Sequence, residues 1–335
     1  MKITKEEFGL GATLICLTNQ KGNSISFSNL GARVVAWEVT GRNILRSYKT
    51  AREYLEKDPY CGATIGRVAG RIKAAYLKIN NQEFNLQKNE GEQTLHGGEE
   101  SFETKLWRFE SFESETSASV TFSLISNHME NGFPGKLEVK VTYSYDDEDN
   151  WTIDYEALSD QDTSFNPTNH VYFNLNQSKK EDISNHFLEM SASRYLSLKN
   201  EEKVDGQIKE VTGTDFDFQS AKLLSKIFES QESELLNFDG LDHPFLLDEV
   251  SLEKTQATLS LDDLSLRVKT DRPSLVIFTA NFKGVDILEQ ESHKSITFES
   301  QVAPGAESNP ELGDISLKAG EKYQSRTIYQ VKIGE

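Results

Sequence analysis

The chain has 335 residues, 36% of them hydrophobic and 10% aromatic, which is a globular composition with ample length for a large core. Its formal charge of −18 and pI of about 4.9 argue against nucleic acid, an anionic membrane or an acidic substrate as partners and favour a neutral small molecule. There is no apolar run long enough to span a membrane, no secretory signal and only two cysteines, Cys16 and Cys61. We therefore expect a cytoplasmic protein without a disulfide framework.

Alternation of apolar and polar residues, which is typical of strands, dominates the chain. It occurs, in chain order, in segments 23–39, 118–126, 137–145, 151–157, 166–176, 257–270 and 296–301, and segment 275–282 is predicted to be an apolar strand. Charged turns predict two β-hairpins, one at 146-DDEDN-150 and one at Asp262-Asp263. Helical periodicity is convincing only over 220–236.

No repeat and no Pro/Gly/Ser-rich linker divides the chain. Many short strands separated by turn signals predict an all-β fold, a large antiparallel β-sandwich with few short helices, in a single domain over residues 1–335. The sequence has no G-x-G-x-x-G motif after a strand, no P-loop, no H-E-x-x-H and no G-x-S-x-G. Nucleotide-dependent, metalloprotease and α/β-hydrolase chemistry are therefore disfavoured, and we expect no cofactor and no metal.

Two glycine-punctuated clusters in the first third of the chain carry candidate polar groups. In 62-GATIGRVAGRI-72, Arg67 and Arg71 share a face if the segment is extended, although a surface loop whose arginines pair with carboxylates fits equally well. In 94-TLHGGEE-100, two glycines after His96 allow a sharp turn or the close approach of a ligand. An exposed histidine beside a glycine turn is the simpler interpretation of that segment.

The segment 166-NPTNHVYFNLN-176 predicts a half-buried strand whose second face holds His170, Tyr172 and two asparagines. A strand with a solvated polar face is the alternative. In 239-DGLDHPFLLD-248, Asp242 and His243 are predicted in a turn before an apolar run, where an aspartate commonly caps the backbone.

The strand predicted at 296-ITFESQVAPG-305 places Ile296 and Phe298 on one face and Glu299 and Gln301 on the other. Several strands thus combine an apolar face with a face of His, Asn, Glu, Gln or Arg. A concave surface of planar polar groups and aromatic rings suits a sugar, because hydroxyls need hydrogen-bonding partners and the C–H faces of a sugar stack on rings.

These clusters together resemble the aldose 1-epimerase (galactose mutarotase) family. NLGARV, GATIGRVAGRI, LHGG, NPTNHVYFNLN, GLDHPF and ITFESQVAPG occur in the family's order over nearly the whole chain. The resemblance implies the galactose mutarotase-like sandwich (the supersandwich type), with a sugar in an open cleft on one sheet. Gly70, where many members have Asn, and Leu241, where Tyr is common, depart from the pattern at positions that the resemblance places near the sugar, and they leave the preferred sugar open.

By resemblance, Glu299 is the general base and His170 the general acid. His96 positions the sugar near its ring oxygen, and Arg71 and Asp242 bind it. The reaction interconverts the α and β anomers of free hexoses such as galactose and glucose. It needs one base and one acid, and we expect a bell-shaped or plateau pH profile around neutrality. A paired charge lowers the pKa of Glu299, whereas burial raises it.

Three alternatives remain. A hexose-6-phosphate 1-epimerase would need extra cations, of which Arg67 could be one. A non-catalytic carbohydrate-binding protein would not need Glu299 and His170 together. A glycosidase would need two carboxylates flanking the bond. The sequence is also compatible with a homodimer.

Overall fold

The computed structural model describes residues 1–198, 206–282, 284–285 and 288–334. The strands, in chain order, are β1 Lys2–Gly9, β2 Ala12–Thr18, β3 Ser24–Ser28, β4 Arg33–Val39, β5 Arg42–Asn43, β6 Thr64–Ile65, β7 Arg71–Ile72, β8 Tyr76–Ile79, β9 Gln82–Asn85, β10 Thr94–Leu95, β11 Arg108–Glu113, β12 Ser117–Ser126, β13 Leu137–Asp146, β14 Asn150–Ser159, β15 Thr163–Ser164, β16 Thr168–Asn169, β17 Tyr172–Phe173, β18 Phe187–Met190, β19 Arg194–Leu196, β20 Ile208–Glu210, β21 Lys222–Leu223, β22 Asp242–Leu246, β23 Ala257–Leu261, β24 Leu264–Thr270, β25 Ser274–Phe278, β26 Ile296–Gln301, β27 Ser316–Leu317 and β28 Lys322–Ile333.

Helices are few and short. They are α1 Ala51–Lys57, α2 Ser225–Phe228 and α3 Ser233–Phe238, together with 3₁₀ turns at Lys73–Ala75, Phe102–Thr104, Glu130–Gly132, Glu289–Glu291 and Pro310–Leu312. In the parts of the chain that the structure describes, no helix is long and apolar enough to cross a membrane.

Three antiparallel sheets form the architecture. The nine-stranded sheet has the order β11-β12-β13-β14-β28-β24-β23-β18-β21, the six-stranded sheet β17-β26-β25-β22-β19-β20, and the five-stranded sheet β1-β2-β3-β4-β5. Two-stranded ladders join β10 to β7, β15 to β27, β16 to β6 and β8 to β9. The predicted all-β, antiparallel fold is confirmed.

The main core lies between the nine-stranded sheet and the other two large sheets. Trp151 of β14 is fully buried and its ring contacts Phe27, Trp37, Tyr143 and Tyr329. Both predicted hairpins are present, because Tyr145 pairs with Trp151 across β13 and β14, and Leu261 pairs with Leu264 across β23 and β24.

Along the strands of the six-stranded sheet, side chains alternate between the face that packs on the core and the face that carries the candidate site. In β26, Ile296 and Phe298 enter the core, and in β25 Leu275 and Ile277 do the same. Successive side chains of a strand point to opposite faces. The other face of these strands therefore carries the residues between them, including Glu299.

The helix predicted over 220–236 is wrong in extent. The segment contains β21, which pairs with β18, and then α2 and α3 with a break between them. At the break, Ser230 Oγ bonds the carboxylate of Asp215 at 2.5 Å and accepts the backbone N–H of Glu232 at 3.1 Å. Serine side chains that bond nearby backbone compete with helix formation.

The half-buried strand predicted at 166–176 is also wrong in form, because the segment contains only β16 and β17 and both of its faces are buried. Its asparagines are not solvated. Asn166 donates to the carbonyl of Val302 at 2.9 Å and Asn174 to that of Lys294 at 2.7 Å. Since buried amides need partners, these side chains tie the segment to neighbouring loops.

Candidate active site

A cleft of about 350 Å³ opens on the outer face of the six-stranded sheet. Its size is at the lower end of ligand pockets, which run from roughly 300 to 1,000 Å³. All five residues that the sequence analysis assigned to the site line this cleft: Arg71, His96, His170, Asp242 and Glu299. Strands β17, β22, β25 and β26 form its floor.

Glu299 lies on β26, and its side chain is only 4% exposed. Gln301, two residues along the same face, donates to Oε2 at 3.3 Å, and Thr297 donates to Oε1 at 3.5 Å. Burial raises the pKa of this carboxyl above its ordinary value, and the charge of Asp242 raises it further, against opposing effects of His170 and Arg71. Of the two opposing influences expected from the sequence, burial is the stronger.

His170 stands opposite Glu299, with Nε2 at 3.5 Å from Oε1. The loop after residue 61 sets this position through the backbone. His170 N–H donates to the carbonyl of Ala63, and the carbonyl of His170 accepts the N–H of Gly62, both at 2.9 Å. The start of the glycine-rich segment 62–72 thus fixes the backbone that carries the His170 imidazole, although the two segments are about a hundred residues apart in the sequence.

His96 has a defined tautomer. Its Nδ1 accepts the backbone N–H of Gly70 at 3.1 Å, so the proton of the neutral ring lies on Nε2. Burial lowers the pKa of His96 well below 6.5, and the neighbouring His170 and Arg71 lower it further. His96 is therefore a neutral donor in the cleft.

Glycines allow the backbones around His96 to approach each other. Gly97 has φ of +88°, and a Cβ there would lie 2.2 Å from the carbonyl oxygen of Gly66. Gly70 has φ of +74°, and a Cβ there would lie 2.5 Å from Cγ of Pro304. A larger residue at position 70 would require Pro304 to move.

Arg71, on β7, is held by a carboxylate that the sequence analysis did not assign. Its Nε donates to Glu90 Oε2 at 2.5 Å and its Nη2 donates to Oε1 at 2.9 Å. Although burial acts in the opposite direction, the charges of Asp242, Glu90 and Glu299 raise the pKa of Arg71. The guanidinium is thus the positive centre among three carboxylates.

Asp242 begins strand β22, which pairs with β25, so the prediction of a turn at this point is wrong. The strand sends Asp242 and Pro244 into the cleft. His243 points the other way and is fully buried, with its Nδ1 accepting the backbone N–H of Asp242 at 3.1 Å. The strand alternation thereby separates the two residues.

Aromatic rings frame the histidines and line one wall. The His170 ring lies 5.0 Å from Tyr172 and 5.3 Å, edge-on, from His96, whose other neighbour is Tyr60 at 4.8 Å. Phe278 of β25 faces the same cleft. Neither Phe278 nor Tyr60 was assigned from the sequence, because 275–278 is apolar on both faces and its period therefore does not single out the face toward the cleft.

Two expectations at the edge of the site are wrong. Arg67 does not share a face with Arg71. It is buried away from the cleft, and its guanidinium donates to Ser126 and to the carbonyls of Pro134 and Gly135. Leu241 does not lie in the cleft, where the resemblance placed it near the sugar, because it is fully buried in the main core.

A larger groove of about 660 Å³ lies on the outer face of the nine-stranded sheet. Its lining combines exposed apolar side chains such as Ile125 and Leu158 with a Lys322–Glu156 ion pair. It has no group comparable to the Glu299–His170 pair, so the smaller cleft is the candidate active site.

Comparison with known proteins agrees with this geometry. The family model described as aldose 1-epimerase matches residues 13–330. The chain belongs to the aldose 1-epimerase family. The enzymes of this family are isomerases. The match contains the full set of cleft residues described above.

Individual relatives match over almost their full lengths. The aldose 1-epimerase of Haemophilus influenzae is 32% identical over 95% of both chains. The human galactose mutarotase is 30% identical over 98% of this chain and 95% of its own. The crystal structure of galactose 1-epimerase from Lactobacillus acidophilus NCFM superposes with a TM-score of 0.90 at 32% identity, over 100% of this chain and 99% of that one.

The burial of His96 generates a prediction for solution NMR. We expect its ring to stay neutral as pH falls through 6.5, because its pKa is lowered. Long-range ¹H–¹⁵N spectra should show a protonated Nε2 and an unprotonated Nδ1, with the signals assigned by their loss in a His96→Gln variant. A titration midpoint at or above 6.5, or a protonated Nδ1 in the neutral ring, would contradict the assignment.

Proposed function

We propose that the protein interconverts the α and β anomers of free, neutral hexoses such as galactose and glucose, with Glu299 as the general base and His170 as the general acid. The observation that supports this most directly is the pairing of the Glu299 carboxylate with His170 Nε2 at 3.5 Å, both nearly buried and both lining one cleft. Anomer exchange requires an acid and a base close enough together to reach the two oxygens that are bonded to C1.

Ring opening uses each group once. Glu299 takes the proton from the anomeric hydroxyl while His170 gives a proton to the ring oxygen. The bond between C1 and the ring oxygen breaks, and its electron pair remains on that oxygen as C1 becomes an aldehyde. Carboxylate and imidazole side chains are the usual carriers of such protons.

Ring closure reverses both transfers after rotation about C1–C2 presents the other face of the aldehyde. The hydroxyl that held the former ring oxygen attacks C1 and returns its proton to His170. Glu299 returns its proton to the carbonyl oxygen, which becomes the new anomeric hydroxyl. Both residues end in their starting states. Atoms and electrons therefore balance without any other reactant.

The remaining cleft residues hold the sugar. His96 offers the N–H of Nε2, and Arg71 and Asp242 offer a donor and an acceptor for hydroxyls. Phe278 and Tyr172 supply aromatic surface for the C–H face of a pyranose. In this scheme the sugar bridges Glu299 and His170, with its ring oxygen toward the histidines.

The charge of the cleft favours neutral sugars over hexose 6-phosphates. Apart from the histidines, the charged residues that line it are Lys57, Asp58, Arg71, Glu90, Asp242 and Glu299, of which four are carboxylates. Arg71 is engaged by Glu90, and Lys57 lies 3.7 Å from Glu53. Arg67, the extra cation that the sequence suggested for a phosphate, is buried elsewhere.

Replacement of Glu299 by Gln keeps the shape of the side chain and removes the base. We expect the variant to lose roughly 10²- to 10⁴-fold in the enzymatic rate of approach to anomeric equilibrium. Polarimetry with freshly dissolved α-D-galactose and α-D-glucose measures this, and the 6-phosphate of glucose tests the charge argument. The matched control is Glu321→Gln, which makes the same chemical change at an exposed site.

Wild-type rates for the Glu299→Gln variant would disprove the role of Glu299. Faster turnover of glucose 6-phosphate than of glucose would favour the phosphate-specific alternative. A non-catalytic sugar-binding protein is the expected interpretation if wild type binds galactose without speeding mutarotation.

The raised pKa of Glu299 generates a prediction for pH dependence. Because the base must be ionised, kcat/KM should fall as pH falls, with a midpoint above the ordinary value of 4.5. The negative charge of Asp242 contributes to that shift, so Asp242→Asn should move the midpoint to lower pH, whatever it does to sugar affinity. A wild-type midpoint at or below 4.5, or an upward movement in Asp242→Asn, would contradict this account.

A further inference from the structure

The turn that carries Glu90 belongs to the same small unit as Arg71 and His96. Strand β10, which ends immediately before His96, pairs with β7, and Leu95 lies opposite Arg71. Residues 90 and 93 close the turn, with Gln93 N–H donating to the carbonyl of Glu90 at 2.9 Å. Asn89 fixes this turn to β10, because its side chain accepts the N–H of Leu95 at 2.7 Å and donates to the carbonyl of Leu95 at 3.0 Å.

Glu90 is therefore held at a defined place, and its carboxylate meets Arg71 edge to edge. Two parallel bonds, of 2.5 Å and 2.9 Å, join the carboxylate to Nε and Nη2. A guanidinium is planar and has five N–H donors, so this contact fixes the plane of the group and leaves the donors on the opposite side. A single bond would allow the plane to rotate.

This two-bond contact between Glu90 and Arg71, which we call the fork, differs from an ordinary surface ion pair. The Arg71 side chain is 14% exposed and that of Glu90 is 39% exposed, and both residues line the cleft. In the same turn, Lys88 and Glu92 also form a pair, but their side chains are 50% and 83% exposed. Solvent screening weakens the second pair, whereas the first lies at the wall of the sugar cleft. The turn thus supplies its own matched control.

We infer that Glu90 is a positioning residue for the sugar, which acts by fixing the guanidinium plane of Arg71 so that its remaining N–H donors face the hydroxyls of the bound hexose. This inference rests on the proposed function, because it assigns a role within the same cleft. It adds a residue that does not itself need to touch the reacting atoms.

Loss of the fork should weaken sugar binding in the ground state and transition state alike. For Glu90→Ala we expect KM for galactose to rise roughly ten-fold or more, since bonds to charged groups are the strong ones, with kcat changed far less. Glu90→Gln keeps one acceptor for Arg71 and should recover part of the loss. Glu92→Ala should leave both constants near wild type.

The test is a double-mutant cycle with Arg71→Ala, Glu90→Ala and the double variant. If Glu90 acts through Arg71, its removal should have little further effect on KM once Arg71 is alanine. Polarimetry supplies kcat and KM, and calorimetric titration with galactose supplies an independent affinity. Circular dichroism spectra and thermal midpoints confirm that the variants are folded.

Additive effects in the cycle, or an unchanged KM in Glu90→Ala, would overturn the inference while wild-type turnover kept the proposed function intact. Wild-type protein that binds galactose without turnover would reject the proposed function, and the calorimetric cycle would then decide the role of Glu90 in binding. Wild-type protein that neither turns over nor binds galactose would overturn both.

Discussion

A carboxylate withheld from water is the constraint on which the site depends. Glu299 lies on an interior strand of the six-stranded sheet, almost fully buried, and an ionised group in that position is costly unless other groups compensate it. Gln301 and Thr297 donate to it from its own strand, and His170 faces it at 3.5 Å. Burial outweighs these favourable contacts and raises the pKa of Glu299, which makes it a better proton acceptor than an exposed carboxylate. In the proposed mechanism, the same arrangement that compensates the charge prepares the carboxylate for acid–base chemistry.

The scaffold divides the work between strands and loops. Strand alternation puts large apolar residues such as Phe298 into the core and leaves the opposite face for Glu299, Asp242 and Phe278. The histidines are positioned differently, through backbone bonds made by the loops at 62–63 and at Gly70. A rigid floor and loops fixed by main-chain hydrogen bonds thus keep the proposed acid, base and binding groups in register.

The sequence alone could predict the features that depend on the alternation and turn residues within one short segment. The alternation in 296–301 placed Glu299 opposite Ile296 and Phe298, and the charged turns located both hairpins. What depends on distant partners was not predictable in this way. Asn166 and Asn174 find partners more than a hundred residues away, so a segment that alternates like a half-solvated strand is buried on both faces. Glu90 lies in an unremarkable polar turn, and only the pairing of β10 with β7 brings it to Arg71. The identity of the five assigned site residues came from resemblance to a family, not from period or spacing.

The most direct test of the central claim is a crystal structure of the protein with D-galactose bound. The account predicts that the anomeric hydroxyl lies within hydrogen-bonding distance of the Glu299 carboxylate and that the ring oxygen faces His170 Nε2, with the C–H face of the sugar toward the aromatic wall. A sugar whose anomeric carbon points to solvent, with Glu299 bonded only to a hydroxyl remote from C1, would contradict the assignment of this pair to ring opening.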